Sequence, residues 1–207
     1  DGKKILTRSA AGHIHISSDY LRSKNNPSGR IEPEFLVGLL DVCLGNTMVL
    51  LDRDPGAAKR RELYGKSGEF RTPDHGVEYR TLSNFWLRGY PLFSLVGAIT
   101  RFCVMACMPK FYPEYGTYRG VPYANLADLI MGSVDTKIVE EAINTNNAEL
   151  ARLTWDGAVR PILKNVSSPG DGLTGSYVDL FDQLVKKGID HFFQEDPVTH
   201  WTSVVHM

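Results

Sequence analysis

The segment Ala11-Gly12-His13-Ile14-His15-Ile16-Ser17 alternates polar and apolar side chains in the way that a half-buried β-strand does. Side chains two residues apart on a strand project from the same face of its sheet. His13 and His15 are therefore predicted to share one face, while Ile14 and Ile16 enter the core. Two imidazoles on one face suit a metal ion beside an anion, although paired histidines are also common as plain surface residues.

A second alternating segment, Gly76-Val77-Glu78-Tyr79-Arg80-Thr81-Leu82, predicts another strand with Glu78 and Arg80 on one face and Tyr79 on the other. A glutamate can bind a hard cation such as Mg²⁺ through oxygen, and an arginine can hold a carboxylate or a phosphate through two parallel hydrogen bonds. The alternative is a cross-strand ion pair on a solvated sheet face. Taken by itself, the segment favours that alternative.

Between the two predicted strands, residues 52–74 form a basic, glycine-containing stretch that we predict to be a loop. Its cations are Arg53, Lys59, Arg60, Arg61, Lys66 and Arg71. Glycines let the backbone approach an anion closely while cations converge on it, as a polyphosphate requires. The stretch does not match the Gly-x-x-x-x-Gly-Lys-Ser/Thr phosphate loop, and a solvated basic turn is an equally good interpretation.

Helical spacing of apolar residues predicts an amphipathic helix from about Pro33 to Leu51 and an apolar helix from Phe93 to Met108. Polar residues interrupt the second stretch too often for a membrane span, so a buried helix is expected. A cluster of Pro, Tyr and Gly at 109–122 predicts a break in the chain. Beyond it, helices are predicted at 124–131, 135–153 and 177–193.

Composition limits the class of protein. With 207 residues, of which 43% are hydrophobic, the chain can bury the core of one large or two small domains. A formal charge of −1 gives no reason to expect a nucleic acid as the main partner. Cys43, Cys103 and Cys107 are an odd number with apolar neighbours, which indicates buried thiols in a reducing compartment. A cytoplasmic protein is therefore expected.

The order in which these motifs follow one another resembles that of a known protein family. Ala-Gly-His-Ile-His-Ile is followed by an apolar helix, then by Arg-Arg-x-x-Tyr-Gly-x-x-Gly-x-x-Arg and Gly-Val-Glu-Tyr-Arg-x-Leu-Ser-Asn-x-Trp, all between Thr7 and Trp86. This succession resembles the phage-type carboxylate-amine ligases, which are relatives of glutamine synthetase and of the glutamate-cysteine ligases. The resemblance implies an α+β fold with a glutamine-synthetase-like antiparallel sheet and packed helices. Residues 1–110 would be the C-terminal part of the catalytic domain, and residues 111–207 a mostly helical extension that it does not cover.

The resemblance implies an ATP-dependent enzyme that uses Mg²⁺ to join a small-molecule or peptide carboxylate to an amine through an acyl phosphate. In such an enzyme Arg80 would hold the substrate carboxylate and its acyl phosphate. The remaining implied roles are metal binding by His13 and Glu78, and ATP contacts from His15, Arg60, Arg61, Lys66 and Arg71, of which Arg71 would also take part in catalysis.

One departure from the family pattern matters. The family's other metal carboxylates come from a sheet region upstream of the His strand, and only Asp1 to Arg8 precede that strand here. The resemblance therefore implies that an upstream polypeptide segment completes the site, and that this chain alone binds Mg·ATP weakly or not at all. The main alternative is a catalytically inactive virion or assembly protein on the same scaffold, in a virion or an oligomer. A phosphotransferase would need an acceptor pocket that the sequence does not indicate.

Overall fold

The computed structural model of the protein describes residues 11–18, 21, 31–107, 117–118, 121–122, 126–165 and 175–188. The strands are β1 (Ile14–Ser17), β2 (Phe70–Arg71), β3 (Gly76–Tyr79), β4 (Thr117–Tyr118) and β5 (Val121–Pro122). The α-helices are α1 (Pro33–Leu40), α2 (Asn46–Val49), α3 (Gly56–Leu63), α4 (Tyr90–Ala106), α5 (Leu126–Gly132), α6 (Thr136–Thr145), α7 (Ala148–Thr154), α8 (Arg160–Asn165) and α9 (Gly175–Lys187). The α+β class predicted from the sequence is confirmed.

The two predicted strands form and pair directly with each other. β3 lies in the middle of an antiparallel sheet of order β1-β3-β2. Its pairing places His15 opposite Glu78 on one side and Arg71 opposite Glu78 on the other. Because partners opposite each other in a sheet project from the same face, three strands contribute side chains to one surface around Glu78.

The other face of this sheet belongs to the hydrophobic core. Ile16, Val77 and Tyr79 are 7%, 0% and 0% exposed, respectively. They pack in one cluster with apolar residues of the helices. The period-2 alternation in the sequence therefore separates a polar from an apolar face, as predicted.

A central helix lies beneath the apolar face. It consists of α1, a π-helical turn at Asp41–Gly45, and α2, which follow one another without a break. The predicted helix from Pro33 is confirmed, but its predicted amphipathic character holds only for the first turns, where Glu34 is exposed, because every residue from Leu39 to Asp52 is buried. Helices α6 and α7 pack against the π-helical turn and α2, so this part of the helix is covered on more than one side.

The C-terminal helices share the core of the N-terminal half. Val139 and Ile143 of α6, Trp155 and Phe181 are all buried in the same cluster as Leu40 of α1. Trp155 and Phe181 contact each other, with ring centroids 4.4 Å apart. Residues on both sides of the predicted division at 110 and 111 thus stabilise one core.

The prediction of a loop over residues 52–74 is wrong in part, because it contains α3 and β2. Asp54 caps the start of α3 by accepting a hydrogen bond from the Gly56 amide over 2.7 Å. Ala57 and the two arginines that follow point inward and are buried. The chain leaves the helix at Tyr64 and turns at Gly65, whose φ of 80° is accessible to glycine without strain.

Other predicted elements differ in their limits. The helix predicted at 135–153 is divided by Asn146, which adopts a left-handed conformation with φ of 53°, into α6 and α7. The helices predicted at 124–131 and at Phe93 to Met108 correspond to α5 and α4, and the one predicted at 177–193 corresponds to α9 as far as Lys187. Most of the predicted break at 109–122 lies outside the described residues.

No helix within the described ranges combines the length and the apolar character needed to cross a membrane.

Candidate active site

Glu78 lies at the centre of the polar face of the sheet. Its Oε1 is 2.8 Å from Nδ1 of His13 and 3.5 Å from Nε of Arg80, and its Oε2 is 4.0 Å from Nη1 of Arg71. The Glu78 side chain is 11% exposed, whereas that of Arg71 is 64% exposed. Glu78 is therefore a nearly buried carboxylate with three basic side chains around it: His13, just before β1, Arg71 of β2, and Arg80, just after β3.

Arg80 connects this carboxylate to a second one. Its Nη1 lies 3.0 Å from Oε1 of Glu69, in the turn that precedes β2. The other oxygen of Glu69 accepts hydrogen bonds from the backbone amides of Gly65 and Lys66. The guanidinium of Arg80 is thus held between two carboxylates, which limits its freedom and lowers the entropy that binding an anionic ligand would cost.

His13 uses one of its two ring nitrogens in the contact with Glu78. Its pKa is lowered by burial and by the positive charge of Arg80, against the opposing effect of Glu78. In the neutral imidazole, Nδ1–H donates to Glu78, so Nε2 carries a lone pair. That Nε2 is buried and has no hydrogen-bond partner among the described residues. A carboxylate that orients an imidazole in this way is a common arrangement behind metal ligands and proton acceptors.

His15 occupies the same face but contacts a different partner. Its Nδ1 is 3.1 Å from Nε2 of His75, and the two rings are 5.3 Å apart between centroids. Both imidazoles are exposed. His75, in the turn before β3, was missed by sequence reasoning because a single histidine in a turn carries no periodic signal.

Arg60 and Arg61 point into the protein, away from Glu78. Arg60 Nη2 donates to the backbone oxygen of Thr81 over 2.6 Å, and Arg61 Nη1 donates to Oδ1 of Asn146 over 2.8 Å. Burial, together with the charge of Arg60, lowers the pKa of Arg61 to about 10. Of the predicted ATP contacts, the structure brings Arg71 to the polar face with Glu78 and leaves Arg60 and Arg61 in the interior, while Lys66 is exposed in the loop next to Glu69.

A buried carboxylate beneath the site, that of Asp41, was also missed. Oδ1 of Asp41 accepts hydrogen bonds from the hydroxyls of Tyr79 and Thr81, over 2.6 and 3.2 Å. Oδ2 accepts from the Ser67 hydroxyl over 2.6 Å and from the Gly68 amide over 2.5 Å. Burial raises the pKa of Asp41, although all four hydrogen bonds oppose the shift. The signal in the sequence was one acidic residue inside the apolar run Leu39-Leu40-Asp41-Val42-Cys43.

The described residues do not by themselves fit a Mg²⁺ ion. They contain no group of three or more His, Cys, Asp or Glu side chains placed to hold a metal. His13 and Glu78 offer one imidazole and one carboxylate, whereas Mg²⁺ requires six ligands in octahedral geometry and prefers oxygen. The predicted metal ligands are thus brought together, but as an incomplete set.

One comparison with known proteins gives a match, over part of the chain. Residues 7–91 match the family model described as phage phiEco32-like COOH.NH2 ligase-type 2. The match confirms the resemblance to phage-type carboxylate-amine ligases over the part of the chain that contains the sheet, the central helix and all of the predicted site residues. No curated protein and no solved structure matches the chain.

Proposed function

We propose that this protein is an ATP-dependent carboxylate-amine ligase, which forms an amide bond through an acyl-phosphate intermediate. The observation that supports this function best is the convergence of Arg71 and Arg80 beside Glu78, on a face that also holds His13 and His15. The substrate carboxylate, the triphosphate and the transition state between them are all anionic. Their reaction requires cationic groups that are already in place.

In the proposed reaction Arg80 holds the substrate carboxylate and then its acyl phosphate. Its side chain is 17% exposed and is fixed by Glu69, so it offers a rigid guanidinium at the surface. Arg71, whose side chain is 64% exposed, would contact the phosphate that moves from ATP to the carboxylate. His15, on the polar face, and Lys66, exposed in the turn before Glu69, would contact the nucleotide phosphates. The enzyme would act in the cytoplasm of a host cell.

Mg²⁺ would need ligands in addition to His13 and Glu78. Bound Mg²⁺ would neutralise charge on the ATP phosphates. Because Glu78 bonds to Nδ1 of His13, on the side of the ring away from Nε2, the pair would offer the ion one ligand in this arrangement, either the imidazole or the carboxylate, and a further polypeptide segment with carboxylates would complete the coordination. The residues of this chain would then position the anionic substrates and exclude water from the acyl phosphate.

A second candidate is a catalytically inactive virion or assembly protein built on the ligase scaffold. One observation favours it: Glu78, which would have to bind the metal, already contacts three basic side chains, as a purely structural ion-pair network would. In that case the polar face would stabilise the sheet and would not turn over ATP.

A single assay distinguishes the two candidate functions. The protein is incubated with Mg·ATP, a panel of carboxylates and hydroxylamine, which converts an acyl phosphate into a hydroxamate and releases phosphate. The ligase predicts ADP and hydroxamate in equal amounts, dependent on the carboxylate, and a loss of both in Arg80→Lys. Absence of ADP with every carboxylate, in a folded protein that includes any upstream partner segment, would support the inactive assembly protein instead.

A further inference from the structure

We propose that Asp41, which lies in the core on the opposite side of the sheet from Glu78, is a positioning residue of this site. This inference depends on the proposed ligase function for its kinetic consequences, but not for its structural ones. Asp41 does not contact the polar face. It acts through the turn at residues 64–69, here called the Lys66 turn, and through β3.

The Lys66 turn is fastened to Asp41 at two successive residues. The Ser67 hydroxyl and the Gly68 amide both donate to Oδ2 of Asp41. A third contact comes from α6, where Oδ1 of Asn144 accepts a hydrogen bond from the Ser67 amide over 2.9 Å. The turn is therefore held from beneath by the central helix and from the side by a helix of the C-terminal half.

The other oxygen of Asp41 fastens the strand that carries Glu78 and Arg80. Tyr79 lies between those two residues in sequence and projects into the core, where its hydroxyl donates to Oδ1. Thr81, the next inward residue, donates to the same oxygen and also lies 3.0 Å from the backbone oxygen of Lys66. One carboxylate thus sets the distance between β3 and the Lys66 turn.

A continuous set of contacts leads from this anchor to the polar face. The amides of Gly65 and Lys66 hold Glu69, Glu69 holds Arg80, and Arg80 lies beside Glu78. If the Lys66 turn moved, Glu69 would move with it, and Arg80 would lose the partner that fixes its guanidinium. Misplacement of such a group by about 1 Å can reduce a reaction rate by about 100-fold.

Two features of the π-helical turn suit Asp41 to its hydrogen bonds with the Lys66 turn and β3. Asp41 begins the π-helical turn, a feature that is frequent at functional sites because the extra residue redirects side chains. A Cβ atom on Gly45, in the same turn, would lie 2.6 Å from the Tyr79 hydroxyl, so that only glycine leaves room for the Tyr79–Asp41 hydrogen bond.

Stability alone gives little reason for a carboxylate at this position. Burying a carboxylate is unfavourable unless its hydrogen bonds compensate, and a well-packed apolar side chain is often equally stable there. A carboxylate is, however, the side chain that can accept all four of these hydrogen bonds at once.

The test compares two substitutions at Asp41 with one at Asp52, a buried carboxylate at the end of the same helical segment. Asp52 accepts hydrogen bonds from the Ser83 hydroxyl and the Asp54 amide, and none from the Lys66 turn. In Asp41→Asn the amide oxygen can accept from the turn while its NH₂ donates to the two hydroxyls, which can reverse direction. Asp41→Leu fills the space but accepts nothing. Asp52→Asn controls for the loss of a buried charge.

Two readouts are measured in the complete protein. In Asp41→Leu, amide hydrogen exchange of residues 65–69 should be at least tenfold faster than in the unsubstituted protein, with little change in α4, and kcat/KM should fall by about 100-fold through misplacement of Arg80. Asp41→Asn should keep both values within about threefold, because it retains the hydrogen bonds to the turn. Asp52→Asn should leave the exchange of residues 65–69 unchanged.

The exchange measurement separates this inference from the proposed function. If no ligase activity is found but residues 65–69 lose protection in Asp41→Leu, the anchor stands and the function fails. Unchanged exchange and unchanged kcat/KM in a folded Asp41→Leu would overturn the inference, as would a well-protected Asp41→Asn that is as inactive as Asp41→Leu. If Asp41→Leu does not fold, Ser67→Ala removes one hydrogen bond from the turn, and unchanged exchange there would equally overturn it.

Discussion

His13 donates a hydrogen bond from Nδ1 to Oε1 of Glu78 over 2.8 Å, across two neighbouring strands. This hydrogen bond depends on the register with which β1 pairs with β3. His13 and Arg80 extend the β1–β3 register by one pair, and so lie on the same face as Glu78. A slip of one residue would turn the imidazole into the core and remove the site.

The first prediction concerns the titration of His13. Because burial and Arg80 lower its pKa below 6.5 in the folded protein, the unfolded chain binds a proton more readily than the folded one. This residue should therefore reduce the stability of the fold as pH falls from 6.5 towards the folded pKa, and have no effect well above 6.5.

The measurement is an NMR titration of the His13 ring in metal-free protein. Arg80→Gln should raise the His13 pKa, since a nearby positive charge is removed, and Glu78→Gln should lower it further. His75→Gln, which is farther along the face, serves as the control. A His13 pKa above 6.5 in the unsubstituted protein would contradict the arrangement.

The second prediction concerns Glu78, which lies in β3, and Arg80, which directly follows β3. Glu78→Ala should abolish amide formation while the protein stays folded, because the side chain lies on the polar face and not in the core. Arg80→Lys should reduce kcat/KM by at least tenfold, since one ammonium cannot replace a guanidinium fork between two carboxylates. Circular dichroism confirms folding, and turnover by Glu78→Ala with Mg²⁺ would exclude its role.

The third prediction compares a buried with an exposed arginine of the basic segment. Arg61→Ala should lower the free energy of unfolding by about 1–3 kcal/mol. Arg61 is 3% exposed, and its loss leaves the Oδ1 atom of Asn146 without the hydrogen bond that Arg61 donates to it. Arg71→Ala should change stability by less than about 0.5 kcal/mol, since exposed ion pairs contribute little. Arg71→Ala should instead weaken ATP binding.

Both free energies are obtained from urea unfolding, and ATP binding from calorimetry in the presence of Mg²⁺. Equal destabilisation by the two substitutions would contradict the different burial of the two side chains.

The fourth prediction concerns the three cysteines, which are free as expected from their apolar neighbours. Burial raises the pKa of Cys107 to about 12, and that of Cys103 well above its usual value, so little thiolate forms at pH 8. Iodoacetamide should therefore modify Cys103 and Cys107 slowly in the folded protein and rapidly in guanidinium chloride. Mass spectrometry of tryptic peptides gives both rates, and fast modification of Cys103 in the folded state would be the contrary result.

The sequence alone determined the two faces of the sheet. In a strand, side chains alternate by local backbone geometry, so Ile14-His15-Ile16 and Val77-Glu78-Tyr79 specify which residues face solvent without any knowledge of the partner strand. Helix α4 and the central helix were likewise visible in the spacing of apolar residues. Local propensity also left a signal for α3, in the cap at Asp54, but the number of cations around it obscured that signal.

Only the tertiary structure decided which polar residues meet. Arg60, Arg61 and Arg71 are equivalent in a list of basic residues, yet the packing of α3 buries the first two against Thr81 and Asn146 and leaves the third beside Glu78. The hydrogen-bond partners of the Asp41 side chain lie 26 to 40 residues away in the sequence. The direction of a side chain within a strand follows from local backbone geometry, so it can be deduced from the sequence. Burial and hydrogen-bond partners depend on packing between residues far apart in the sequence, so they required the tertiary structure.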